Sequence, residues 1–355
     1  MFTVRRIRSL LGSPVEKQSI YEQLDASDVP VTSADCRTCS NPCDQGHDNY
    51  PSRFNVDYNS QLLGTVKPYR RQVLVSTGQS DWDREVTKTV GSLASLLLHV
   101  QESMPVDAMA AIQLTDHDNA TPRSTAGLFQ PTDSNRVSIL NANHHSIHDD
   151  SETVVVFPDY KVVTHIRSSP EGAQALWDFA IDPVIGRCSL PNKQIPLKSW
   201  ILPYACVVLL CSHKKRDNRC GIAAPKLEHA FMQNLEAQGW HAETDIDASV
   251  CDEDALEDLT TAESDLQHEL DEKLKKSSES RRVLILRTSH IGGHKYAGNC
   301  VIYTPQGSCV WYGRVSPHEV ESIVTNTIVG GLILPPLLRG GLNLSRPGCQ
   351  TLYDW

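Results

Sequence analysis

Residues 204–221 read YACVVLLCSHKKRDNRCG, and the architecture of the second half of the chain turns on them. CVVLLC is a short apolar run without polar alternation, the pattern of a strand covered on both faces. SHKKRDNRCG is a polar loop. The APKLEHAFMQNLEAQGW that follows predicts a helix, with Pro225 near its first turn. RRVLILRTSH (281–290) is the next strand, and NCVIYTP and SCVWYGRV predict a hairpin around Gln306-Gly307. SPHEVESIVTNTIV starts a last helix, with Ser316, Pro317 and Glu319 forming a capping box. The order strand, helix, insertion, three strands, helix predicts a thioredoxin-like α/β sandwich whose loops at one sheet edge carry the chemistry.

Residues 245–280, rich in Asp, Glu, Lys and Ser, read as a solvated, partly helical insertion. Upstream, RRQVLVSTG (70–78), RVSILNAN (136–143) and TVVVFPDYKVV (153–163) predict strands, and 83–103 and 170–181 predict helices. The expected organisation is an irregular segment at 1–65, a looser α/β domain at 66–199, a thioredoxin-like domain at 200–330 with its acidic insertion at 245–280, and a tail at 331–355.

The 355 residues suit two domains. A net charge of -10 argues against a general nucleic-acid binder, which needs a basic footprint. No apolar run approaches the ~20 residues of a membrane span. Eleven cysteines, an odd number at irregular spacing with no secretory signal, argue against a disulfide framework. Arg5, Arg6 and Arg8, with no acid before Glu16, read as a frayed basic terminus or, as a weak match, a mitochondrial presequence. The expected location is the cytoplasm, with the mitochondrion as the alternative.

Two strand-end loops hold good metal ligands: Cys211 and Cys220 in the first, His290 and His294 in the second, SHIGGHKYAGN (289–299). If the two strands are parallel neighbours, both loops emerge at one edge. Cys220, near a helix N-terminus with Arg216 and Arg219 close by, has a setting that favours a thiolate. Gly292 and Gly293 admit a bulky ligand and remove side chains that would shield it. Zinc accepts two Cys and two His, and His-x₃-His matches finger spacing, but the eight residues between the cysteines do not. A [2Fe–2S] cluster in which His replaces two cysteines, as in Rieske centres, is the other candidate. On the residues alone the cluster, zinc and no metal all remain open.

His213, inside the cysteine loop, reads as a solvated residue. Lys214, Lys215, Arg216 and Arg219 either steer an acidic redox partner or offset cluster charge. Cys300 and Cys309 read as core. A second cluster, Cys36-x₂-Cys39-x₃-Cys43-x₃-His47, is compatible with a small zinc site, redox-active thiols or an unstructured reduced segment.

The runs CSHKKRDNRCGIAAPKLEHAF, SHIGGHKYAGNCVIY and VWYGRVSPHEVESIV resemble the fungal sucrase/ferredoxin-like family, specifically over 200–330 and loosely over 70–200. The resemblance implies a thioredoxin-like ferredoxin domain holding a [2Fe–2S] cluster through two Cys and two His. Carried onto this sequence, these are Cys211, Cys220, His290 and His294. It further implies electron transfer in cellular redox homeostasis, with donor and acceptor proteins that the sequence does not name. A neutral imidazole in place of a thiolate raises the potential above that of an all-cysteine plant-type centre. Its N–H can be lost on oxidation, so reduction is expected to be proton-coupled. No carboxylate pair at motif-like spacing supports glycoside hydrolysis. The chain ends LYDW. Asp354-Trp355 resembles the C-terminal signal read by the cytosolic iron–sulfur assembly machinery, although Tyr353 replaces the usual aliphatic residue. An aromatic end that packs on the domain is the competing reading. The competing functions are a zinc-binding interaction module and a thiol-dependent oxidoreductase working through Cys36, Cys39 or Cys43.

Overall fold

All six side chains of CVVLLC are buried, which requires cover on both sheet faces and neighbours on both edges. The computed structural model describes residues 19–34, 49–104, 125–187, 195–259 and 263–355. In chain order its strands are β1 (Arg71–Ser76), β2 (Leu128–Phe129), β3 (Val137–Ala142), β4 (Glu152–Phe157), β5 (Lys161–Ile166) and β6 (Lys198–Ile201). They continue with β7 (Cys206–Cys211), β8 (His241–Glu243), β9 (Arg282–Thr288), β10 (Cys300–Tyr303), β11 (Cys309–Tyr312) and β12 (Leu338–Leu342). One mixed sheet joins them in the order β2-β12-β11-β10-β7-β9-β3-β1-β4-β5-β6, with β8 beside β9.

The middle of that order is the thioredoxin-like unit. β7 and β9 run parallel, with Cys206 opposite Val283 and Cys211 opposite Thr288, and the helix Asn218–Ala237 lies in the crossover between them. β10 is antiparallel to β7 and forms a hairpin with β11, as the sequence predicts. The capping box at Ser316 and Glu319 is present at the start of the helix Pro317–Ser322. Cys206, Val208 and Leu210 pack on one face against Ala223, Leu227 and Phe231 of the 218–237 helix. Val207 and Leu209 pack on the other face.

That second face corrects the reading of the acidic insertion. It is helical over Glu263–Glu279, but it is not wholly solvated: Leu266, Leu270 and Leu274, one turn apart, are buried. Leu270 and Leu274 share a core with Leu284 and Leu286 of β9. The 218–237 helix also starts earlier than expected. Asp217 caps it by accepting from the Arg219 N–H at 3.0 Å, so Pro225 lies inside the helix and Cys220 in its first turn. β12, whose sequence LRGGL carries no strand pattern, pairs with β11 at the sheet's far side.

The strands β1, β3, β4 and β5 form the earlier half of the sheet, covered by helices Leu93–Ser103 and Pro170–Leu176. The halves meet where β3 runs against the end of β9, with Ala142 opposite Thr288. The Ser289 N–H donates to the Asn141 carbonyl at 2.8 Å, and the Asn141 N–H donates to Ser289 Oγ at 3.0 Å. The Asn143 N–H donates to the Arg287 carbonyl at 3.0 Å, and Asn143 Oδ1 accepts from the Arg287 N–H at 2.8 Å. This clasp ends one residue before His290. Among the described residues no helix is long and apolar enough to cross a membrane.

Candidate metal centre

Parallel pairing of β7 and β9 brings the cysteine and histidine loops to one sheet edge. Cys211 is the last residue of β7 and Cys220 lies in the first turn of the helix; both are buried. The ligand atoms of Cys211, Cys220 and His290 all lie within 4.8 Å of one another. Cys211 Sγ is 3.6 Å from His290 Nδ1, and His290 Nε2 is 3.5 Å from His294 Nδ1. The imidazole centroids are 5.4 Å apart, His290 half-buried and His294 exposed. All four sequence-selected residues therefore converge. Cys36, Cys39, Cys43 and His47 lie outside the described residues.

Of the two thiols, Cys211 is the more readily ionised. A hydrogen bond from the Cys220 thiol pulls Cys211 well below the ordinary thiol range, helped by His290 and by the Ile291 N–H, although burial opposes it. The same hydrogen bond and burial push Cys220 up. The basic residues of the loop do not reverse this, and three of the four are engaged with acids. Arg216 pairs with Glu85, Lys215 sits 3.5 Å from Asp83, and Arg219 sits 2.8 Å from Asp217. The Asp217 carboxylate itself disfavours an anion on Cys220. His294 is lowered from its ordinary value chiefly by partial desolvation.

His213 is not solvated. It is 1 % exposed; its Nε2 lies 2.9 Å from the Trp82 carbonyl and its Nδ1 3.2 Å from the His290 N–H. A carbonyl only accepts and an N–H only donates. His213 therefore carries its proton on Nε2 and braces the histidine loop against the earlier half of the sheet.

The glycines divide their work. Gly292 (φ 88°) faces open space, whereas a Cβ on Gly293 (φ 72°) would lie 2.3 Å from Arg339 Nη2. Arg339, on β12, is 2 % exposed. Its guanidinium donates to Thr65 Oγ1 at 3.1 Å, the Gly292 carbonyl at 3.1 Å and Asn299 Oδ1 at 2.7 Å. It lies 5.5 Å from the Tyr296 ring centroid and 5.7 Å from that of Trp311. None of these partners is anionic, and no carboxylate pairs with Arg339 among the described residues. Burial lowers Arg339 to about 10. Neither Arg339 nor the structural role of His213 was legible locally: the first sits between Leu and Gly-Gly, the second in a charged loop.

The donor set fits a metal group. Two buried thiols supply soft donors and two imidazoles borderline ones, and a buried cation without a carboxylate stands beside them. At the C-terminus, Tyr353 packs inward, its hydroxyl donating to the Ile328 carbonyl and, at 3.0 Å, to the Thr327 carbonyl. Asp354 accepts from the Thr351 N–H at 3.0 Å, while Trp355 stays 54 % exposed. The packed-end reading thus describes Tyr353 and not Trp355.

The chain is similar to altered inheritance of mitochondria protein 32 of Debaryomyces hansenii, at 34% identity over 82% of this chain and 89% of that protein. The namesake of Meyerozyma guilliermondii is 22% identical over 92% of this chain and 98% of its own. Actin patches distal protein 1 of Saccharomyces cerevisiae is 24% identical over 86% of this chain and 82% of its own. No solved structure shows significant similarity. The family profile described as sucrase/ferredoxin-like matches residues 62–340, most of the length and both halves of the sheet. The chain belongs to the sucrase/ferredoxin-like family.

Proposed function

We propose that this protein is an electron carrier that holds a [2Fe–2S] cluster through Cys211, Cys220, His290 and His294. The observation that carries the reading is the convergence of three donors within 4.8 Å, with His294 against His290, on two loops of a thioredoxin-like edge. The buried cation of Arg339 supports it, because two thiolates beside it supply the negative charge that its other neighbours lack. The bound cluster supplies one-electron storage. The protein's part is to anchor the thiolates on β7 and the helix N-terminus, and to fix the His290 backbone through His213. The exposed His294 ring, open to solvent, holds or releases the proton coupled to the electron. Seven described cysteines are unpaired thiols, which suits a reducing compartment such as the cytoplasm or the mitochondrial matrix.

The decisive experiment is iron and acid-labile sulfide analysis of anaerobically purified protein, with electron paramagnetic resonance after dithionite reduction. Equimolar iron and sulfide and a signal from the reduced protein are expected. A second reading, a zinc-stabilised interaction module, rests on the compactness of the three donors, which also suits one tetrahedral ion. A colourless protein containing zinc establishes that reading and removes the electron carrier. Within the first reading, His294→Cys keeps the cluster and lowers its potential. A spectrum and potential identical to wild type remove His294 from the ligand set.

A further inference from the structure

Beside the centre opens a cleft of about 620 Å³ whose floor includes His290, Ile291 and Gly292. Its walls come from the earlier half of the sheet and from β11: Val86, Leu98, Ile139 and Trp311 give it an apolar side. Its charge is one-sided. Lys67, Arg84, Arg136 and Arg216 stand along it, Arg339 lies at its base, and Glu85, paired with Arg216, is the one carboxylate lining it among the described residues. In a chain of net charge -10 this concentration of cations is local. Arg136 is held along the rim by donating to the Lys67 and Pro68 carbonyls, each at 3.0 Å, which leaves its charge unneutralised. Lys67 and Arg84 likewise have no carboxylate partner among the described residues.

Apolar walls, a cationic rim and a volume in the range of small-molecule sites select a ligand with a flat apolar body and an anionic group. A molecule seated there touches His290, a residue proposed as a metal ligand; on the cluster reading a reduced molecule there would give up one electron at a time, each reducing an oxidised cluster by one electron.

We propose that this cleft binds a planar, redox-active small molecule carrying a phosphate, of the flavin mononucleotide class, with its ring against the apolar wall beside His290 and its phosphate on the Lys67–Arg136 rim. The redox purpose of the site rests on the cluster reading above; the binding site itself does not.

The test is fluorescence titration of the full-length protein with flavin mononucleotide and, as the uncharged comparator, riboflavin, at low and high salt. Flavin mononucleotide is expected to bind at least about tenfold more tightly than riboflavin, with the difference shrinking at high salt. Lys67→Glu and the double variant Lys67→Glu/Arg136→Gln are expected to weaken it by about tenfold or more, with riboflavin binding unchanged. Lys67 is exposed, so its single variant keeps the test valid if the double variant unfolds. Equal binding of the two flavins, no binding at millimolar concentration, or a Lys67→Glu affinity equal to wild type overturns the proposal. Iron content and the visible spectrum are read on the same samples. Flavin binding by protein without iron therefore sinks the cluster reading and its redox purpose while leaving the binding site. Iron-loaded protein that ignores flavin mononucleotide sinks the site alone.

Discussion

Replacing His213 tests whether the histidine loop is braced from outside its own half of the sheet. His213→Ala removes the partners of two backbone groups, the Trp82 carbonyl at 2.9 Å and the His290 N–H at 3.2 Å. Each buried group left unsatisfied costs ~1–3 kcal/mol, so the polar loss is about 2–6 kcal/mol. His213→Phe separates this from packing. It keeps a ring against the indole of Trp82, which His213 meets edge-on at 5.9 Å, but makes neither hydrogen bond. Urea unfolding of metal-free protein at neutral pH is expected to place His213→Phe at least ~2 kcal/mol below wild type, with His213→Ala lower again by its cavity. Nitrogen-15 spectra of the wild type are expected to show the proton on Nε2. A His213→Phe protein within ~0.5 kcal/mol of wild type, or a proton on Nδ1, would refute the brace.

Other outcomes follow from buried charge and from the glycines. His144 is fully buried with neither ring nitrogen hydrogen-bonded among the described residues, and burial lowers it from 6.5 to about 4. Its folded value lies below its unfolded one, so the unfolded chain takes up the extra proton as pH falls. Stability is complete above about pH 6.5 and drops by roughly 3 kcal/mol towards pH 4. His144→Phe is expected to flatten that part of the stability–pH curve, and an unchanged slope in urea titrations removes the assignment. Arg339→Met keeps bulk but removes the cation beside the thiolates. A unit charge on the order of 10 Å away, at an effective dielectric near 20, is worth about 1.7 kcal/mol, or roughly 70 mV for one electron. On the cluster reading, the variant's potential, measured by dye-linked titration, is expected to fall by tens of millivolts; an unchanged value removes Arg339 from the centre's electrostatics. Gly293→Ala combines left-handed backbone with a Cβ placed on Arg339, whereas Gly292→Ala meets only the backbone penalty of ~1–2 kcal/mol. Thermal unfolding is expected to rank Gly293→Ala well below Gly292→Ala, and equal melting points contradict the close approach.

How much of this was legible in the sequence depends on whether the signal was local. CVVLLC, RRVLILRTSH and the hairpin announced themselves because a strand buried on both faces must be apolar throughout, and the capping box declared its helix through two side chains three residues apart. The four candidate ligands stood out because thiols and imidazoles at the ends of such strands are few. β12 was invisible: LRGGL joins the sheet through backbone pairing, which leaves no hydropathy pattern. His213 misled because its sequence neighbours are charged, while its partner Trp82 lies 131 residues away in the chain. The insertion misled by composition: acid and lysine dominate 245–280, but leucines at positions 266, 270 and 274 suffice to seal one helical face. The expectation of a thiolate at Cys220 missed its pairing with Cys211: the hydrogen bond between the two thiols, and then burial, raise Cys220 and favour the charge on Cys211.

Arg339 also fixes an order of events. The residue packed against Gly293 and hydrogen-bonded to Gly292 comes 46 positions after Gly293 in the chain, and Cys211 and Cys220 are made earlier still. While the ribosome is still adding β12, the histidine loop lacks the guanidinium that fills the space beneath it. Two cysteines and two histidines are then already synthesised but face a hole. The histidine loop therefore reaches its final packing only once β12 has joined the sheet.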